Sequence, residues 1–185
     1  HNSIVAAATI MQELGFEVEL IPINKDGLID INKLKEMIRE DTILVSVCSV
    51  DSEIGLKQPI EEIGELLKQY PNCVFHSDAS QSIGKININY ENVDLVTIAP
   101  HKFYGLNGFG ILIKKKNIGL KPQINGGKST TIFRSGTPDV ANIVATEKAL
   151  DIAITNLGER YNYVKKLSDR IKNKLKEYNN IHINN

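Results

Sequence analysis

The sequence predicts an α/β fold, a mostly parallel sheet flanked by helices. Three observations carry that prediction. Stretches of helical period alternate with short β-branched apolar runs, the order that winds a parallel sheet. One run, "TILVSVCSV" at 42–50, is nearly continuous in apolar residues, the pattern of a strand covered on both faces. Polar clusters follow three of the runs directly, and an open α/β sheet binds its ligand outside the carboxyl ends of its strands.

The elements follow in chain order. Ile4, Ala8, Met11 and Leu14 mark one face of a first helix, which Gly15 stops. "EVELIPI" at 17–23 reads as a strand. "NKDGLID" is a turn, and its Asp30 caps the helix "INKLKEMIRE". Pro59 suits the first turn of the helix "PIEEIGELLKQY". "CVFHSDA", "VDLVTIA" and "FGILIK" are three more strands. Thr137-Pro138 opens a long helix to about Leu157, and Gly158 separates it from a more charged last helix ending near Tyr178. The chain thus divides into a main unit, 1–157, and a helix at 158–185 that leads towards a further domain.

Composition narrows the function. Lys plus Arg is 22 and Asp plus Glu is 22, which argues against a nucleic-acid or polyanion binder driven by net charge. The basic run Lys114-Lys115-Lys116 reads as a solvated strand end. The apolar runs are too short to cross a bilayer and no secretory leader opens the chain, so no membrane partner is expected. Cys48 and Cys73 both lie in strand-like runs and read as buried structural thiols, which fits a reducing, cytoplasmic setting. His1 has no methionine before it, so the chain reads as cut or trimmed from a longer protein.

The chemistry lies in the polar clusters. Asp51-Ser52-Glu53 follows the run ending at Val50, Asp78 to Gln81 follow "CVFHS", and His101-Lys102 follow "VDLVTIA". Singly, each is an ordinary turn, cap or solvated pair. Their coincidence at one sheet edge is the signal. A lysine at a desolvated strand end can serve as an amine nucleophile, as Schiff-base chemistry requires. A nearby carboxylate can pair with a protonated pyridine nitrogen, which keeps pyridoxal phosphate an electron sink. An amide such as Gln81 can donate to the ring's phenolate oxygen, and an imidazole can stack on the ring. Thr137, at a helix start, is either a phosphate-binding hydroxyl or a plain N-cap.

Across nearly the whole chain these segments resemble the cysteine desulfurases of the class V aminotransferase group, which have the fold type I architecture of pyridoxal phosphate enzymes. "DTILVSVCSVDSEIGLKQPI" resembles that family's strand followed by Asn-Asn-Glu-Ile-Gly and Gln-Pro-Ile. "FHSDASQSIGKI" is similar to its His-x-Asp-Ala-x-Gln-Ser-x-Gly-Lys, and "APHKFYGLNGFG" to its His-Lys-Phe-Tyr-Gly-Pro-Lys/Asn-Gly-x-Gly. "NGGKSTTIFRSGTPDVANIVA" resembles its glycine-rich segment ending in Arg-Ser-Gly-Thr, and "HNSIVAAATIMQELGFEVEL" the segment that begins at its ring-stacking histidine.

The resemblance implies roles and a setting. It makes 1–157 part of a large cofactor-binding domain, incomplete at its N-terminus, and 158–185 a helix leading to a small C-terminal domain. Lys102 becomes the lysine that bonds the pyridoxal 5'-phosphate aldehyde and shuttles a proton at the substrate Cα. Asp78 pairs with the pyridine nitrogen, Gln81 with the ring O3′. His1 stacks on the ring and assists proton transfer, His101 touches the phosphate, and Thr137 reaches the phosphate of the neighbouring subunit in a homodimer. Three positions depart from the family. Ser52 stands where Asn is usual, Ala99 where Ser or Thr is a phosphate ligand, and Leu106 where Pro stiffens the loop. The family's N-terminal phosphate loop would precede His1. Its catalytic cysteine and carboxylate-binding arginine would follow Asn185, and neither Cys48 nor Cys73 matches that cysteine. The implied reaction converts L-cysteine to L-alanine, passing sulfur to an enzyme cysteine as persulfide and on to an acceptor or iron-sulfur scaffold protein. The fragment alone is expected to be inactive or nearly so. The alternatives are another class V enzyme, such as a selenocysteine lyase or an aminotransferase, which shares Lys102, Asp78 and Gln81, and a catalytically idle relative serving as a binding or assembly partner, to which the changes at Ser52 and Ala99 point.

Overall fold

The computed structural model describes residues 1–127, 131–181 and 183. Strands β1 (Leu44–Cys48), β2 (Val74–Asp78), β3 (Leu95–Ile98) and β4 (Ile111–Lys114) form one sheet in that spatial order. The first three are parallel, with Cys48 opposite Asp78 and Asp78 opposite Thr97, and β4 joins antiparallel to β3. The carboxyl ends of β1, β2 and β3 therefore share one edge. The helices are α1 (Asn2–Glu13), α2 (Ile31–Met37), α3 (Ile60–Leu67), a 3-10 helix η1 (Pro100–Phe103), α4 (Val140–Thr155) and α5 (Leu157–Leu175); α3 packs on β2 and on α2, α4 on η1, and α5 on α4.

Strand side chains alternate between faces, so each strand sorts its residues by parity. Val45, Val47, Phe75, Val96 and Ile98 fall on one face and are buried with Ile60, Ile63, Leu66 and Leu67 of α3 and Leu34 of α2. Ser46, Cys48, His76, Asp78 and Thr97 fall on the other face, which is only half-buried. Two-sided coverage of the first strand is thus not what forms: Ser46 and Cys48 interrupt its apolar run at alternate positions, and only the valine face is sealed. On the open face His76 bridges three strands, its Nδ1 2.7 Å from Ser46 Oγ and its Nε2 3.2 Å from Thr97 Oγ1.

Other expectations need correction. "EVELIPI" does not form a strand; its backbone finds one isolated bridge, Ile23 to Ile29, and Leu20 is 86% exposed. A strand exists only through a partner's ladder, and here the segment is held instead by Arg39, which reaches Glu17 at 2.8 Å and Glu19 at 3.1 Å. Thr137 does not cap the long helix. Asp139 does, accepting from Asn142 N–H at 3.1 Å, because its carboxylate reaches the first unsatisfied amides of α4. The break before the last helix falls at Asn156, not Gly158, and the Asn156 side chain donates back to the Ile152 carbonyl at 2.8 Å. The basic run is only partly solvated: Lys114 Nζ donates to the Ile118 carbonyl at 3.0 Å and Lys115 pairs with Asp94 at 3.1 Å. Lys128, Ser129 and Thr130 of the glycine-rich segment lie outside the described residues.

Candidate active site

The three polar clusters meet at the shared sheet edge, each carried by the turn that leaves its strand. After β1, Asp51 Oδ1 accepts from Glu53 N–H at 2.8 Å and Ile54 N–H at 2.9 Å, which closes the turn holding Ser52. Those two backbone donors hold the Asp51 carboxyl below its ordinary range. Ser52 itself is exposed. The turn ends at Gln58, whose buried amide accepts from Ile29 N–H and donates to the Gly27 carbonyl, so the Gln-Pro-Ile motif serves structure.

After β2, Asp78 is half-buried and its Oδ1 accepts from Ser80 N–H at 2.9 Å. The turn below it is fixed by a buried hydroxyl network. Ser49 Oγ donates to the Asp78 carbonyl at 3.0 Å and lies 2.8 Å from Ser82 Oγ. Ser82 donates to the Ala79 carbonyl at 3.0 Å and meets Tyr90 OH at 2.6 Å. Burial pushes the Tyr90 phenol up, so its proton stays in place to hold this network. Gln81, at the end of the turn, is half-buried and accepts from Lys85 Nζ at 2.6 Å.

After β3 the chain bends at once into η1. Lys102 N–H donates to the Ala99 carbonyl at 2.9 Å, Gly105 N–H to the Pro100 carbonyl at 2.9 Å, and Tyr104 ends the helix in the left-handed region at φ 71. Gly105 lies so close that a β-carbon there would stand 2.8 Å from Pro100 Cβ. His101 and Lys102 are both exposed. The desolvated amine expected from the sequence is therefore not found: the lysine sits on the turn, one step beyond the buried strand. Its charge acts on the Lys85 ammonium, which burial already pushes down.

His1 is the N-cap of α1 and takes the Ser3 N–H on its Nδ1 at 3.3 Å. The backbone nitrogen of His1 lies within electrostatic reach of both Asp51 and Cys48, which sets His1 at the same edge. Thr137 is exposed, has no hydrogen bond within the described residues and is not tied to this cluster. Burial, reinforced for Cys48 by Asp51 and Asp78 and for Cys73 by Asp94, raises both thiols. Neither is a ready thiolate. Sequence reasoning gave no role to His76 and Lys85, although both lie in the quoted motif. The signals were present: His76 shares its strand face with Asp78, and Lys85 stands four residues after Gln81.

These groups lie on turns at the ends of three adjacent parallel strands, the edge where open α/β sheets bind their ligands. The chain belongs to the class V aminotransferase family, which matches residues 1–185. It is 36% identical to the cysteine desulfurase IscS of Dictyoglomus turgidum, across 91% of this chain and 43% of that protein. It is 38% identical to the mitosomal cysteine desulfurase of Encephalitozoon cuniculi, across 96% of this chain and 42% of that protein. A solved NifS-like protein superimposes with a TM-score of 0.91 at 32% identity, over 96% of this chain and 49% of its own. The chain thus spans less than half the length of these relatives. The expected cytoplasmic setting does not stand, because a relative this similar is mitosomal. Two free thiols fit any reducing compartment and do not choose among them.

Proposed function

We propose that this chain is the central part of the cofactor domain of a pyridoxal phosphate-dependent cysteine desulfurase acting as a homodimer on L-cysteine. Under this reading 158–185 leads towards the second domain. The observation that carries it is the convergence of Lys102, Asp78 and Gln81 on the ends of adjacent parallel strands.

The residues fit the cofactor's polar outline. Asp78 is acceptor-only when ionised and has a single backbone donor on Oδ1, which suits a protonated ring nitrogen. Gln81 has its carbonyl end engaged by Lys85 and its NH2 end left to donate to the ring O3′. Lys102 offers an exposed amine for the aldehyde, while His1 and His101 are the imidazoles for ring and phosphate. Ser52 and Thr137 supply hydroxyls, the first beside the ring oxygen and the second across a dimer interface. When bound, pyridoxal phosphate supplies an electron sink for charge that develops at the substrate Cα. Lys102 holds and returns the Cα proton, Asp78 keeps a positive charge on the ring nitrogen, and a thiolate other than Cys48 and Cys73 takes the sulfur. L-Alanine leaves, and the persulfide serves a sulfur acceptor such as an iron-sulfur scaffold.

The test uses the full-length protein. Borohydride reduction and peptide mapping should place a pyridoxyl group on Lys102, and L-cysteine should yield alanine and, with a reductant, sulfide in equal amounts. A pyridoxyl label on another lysine, or none, would sink the assignment.

A further inference from the structure

We propose that Lys85 is a positioning residue: it turns the Gln81 side chain so that the amide NH2, and not the carbonyl, faces the ligand. The inference rests on the pyridoxal phosphate reading above and assigns the ligand atom beside Gln81 as an anionic acceptor.

The geometry is local and complete. A glutamine amide presents two opposite ends and is free to exchange them, whereas an ammonium has donors only. Lys85 Nζ lies 2.6 Å from Gln81 Oε1 in a part-buried contact, so only the carbonyl can face it. Charge-assisted hydrogen bonds are roughly twice as strong as neutral ones, which holds the amide in that sense. The backbone sets Lys85 in place: Lys85 and Ile86 N–H both donate to the Ser82 carbonyl at 3.0 Å, and Gly84 packs against Phe103 and Ala153. The turn that carries Gln81 therefore also places Lys85, and Gly84 seats it against η1. With Lys102 close enough to act on Lys85, this side of the crevice carries two cations, a setting that favours negative charge on the ligand.

The experiment compares binding of pyridoxal 5'-phosphate and its 3-deoxy analogue to the full-length protein. Intrinsic differences between the two ligands cancel when variants are compared. Lys85→Met should cut the preference for the 3-hydroxy ligand by about tenfold, the equivalent of one charged hydrogen bond. Lys85→Arg, which keeps charge and donors, should retain most of it. Gln81→Met should remove the same preference, and adding Lys85→Met should then change it no further. Should Lys85→Met not fold, Lys85→Leu takes its place in the cycle. A purely structural lysine would weaken both ligands equally, and that result, or an unchanged ratio, overturns the proposal. Failure of the wild-type protein to bind either ligand is a different outcome: it removes the pyridoxal phosphate reading and this inference with it.

Discussion

Gly84 lies against Ala153: a β-carbon on the glycine would stand 2.9 Å from the alanine Cβ and 3.1 Å from the Cβ of Phe103. The turn carrying Gln81, the helix carrying Lys102 and the long helix α4 meet at this one point. Gly84 also has φ +74, a conformation that costs an L side chain strain.

Gly84→Ala should therefore cost more than backbone strain alone. Overpacking a filled contact adds about 1–3 kcal/mol to a φ penalty of about 1 kcal/mol. Gly15→Ala is the matched control, with φ +91 and open space around it. Urea unfolding of both variants checks the difference. Equal destabilisation would show that the contact at Gly84 carries no packing energy.

Asp78→Asn should leave the fold intact and lower turnover of L-cysteine by the full-length protein roughly ten- to a hundredfold, as one hydrogen bond to a charged group is worth about 1.5–3 kcal/mol. The motive is the half-buried carboxylate at the end of β2, with one backbone donor on Oδ1. Steady-state kinetics with the melting curve as control is the measurement. Turnover at the wild-type rate would remove Asp78 from the site.

Ser82→Ala should destabilise by about 1–3 kcal/mol, because it removes the partner of the Tyr90 hydroxyl at 2.6 Å and the donor to the Ala79 carbonyl. Tyr90→Phe should cost less, since Ser82 keeps its partners at Ser49 and Ala79. In the double variant the two losses should not add. Full additivity would mean that the hydroxyls do not act as one network.

The sheet was legible because β-branched runs and the polar clusters after them are local signals. Four strands and five helices stand where period and punctuation place them, to within a few residues. The misread segments fail for physical reasons that sequence hides. "EVELIPI" alternates like a strand, but alternation cannot supply a partner ladder. Thr137 and Asp139 are both good caps, and only the path of the chain decides which one faces the first free amides. Lys102 reads as a strand-end residue, yet Pro100 and the left-handed Tyr104 carry it onto an exposed turn. The residues proposed for the site carry motif spacing. Ser49, Ser82 and Tyr90 stay anonymous until the fold joins residues up to 41 apart through the one hydroxyl of Ser82.

His76 makes stability depend on pH. Burial lowers its imidazole pKa from about 6.5, with Asp78 opposing in part. Ser46 Oγ and Thr97 Oγ1 sit at its two ring nitrogens, and the neutral ring, with one donor and one acceptor, bridges the two hydroxyls. The folded chain therefore binds fewer protons here than the unfolded chain. Stability is fully present above the unfolded value, falls as pH drops below about 6.5, and is lost through the folded value, with a slope of at most about 1.4 kcal/mol per pH unit. His76→Asn should lower stability at neutral pH and flatten that slope. Urea midpoints for both proteins across mildly acidic to neutral pH make the comparison. Parallel curves for variant and wild type would place the acid sensitivity elsewhere and leave His76 as a cross-strand tie alone.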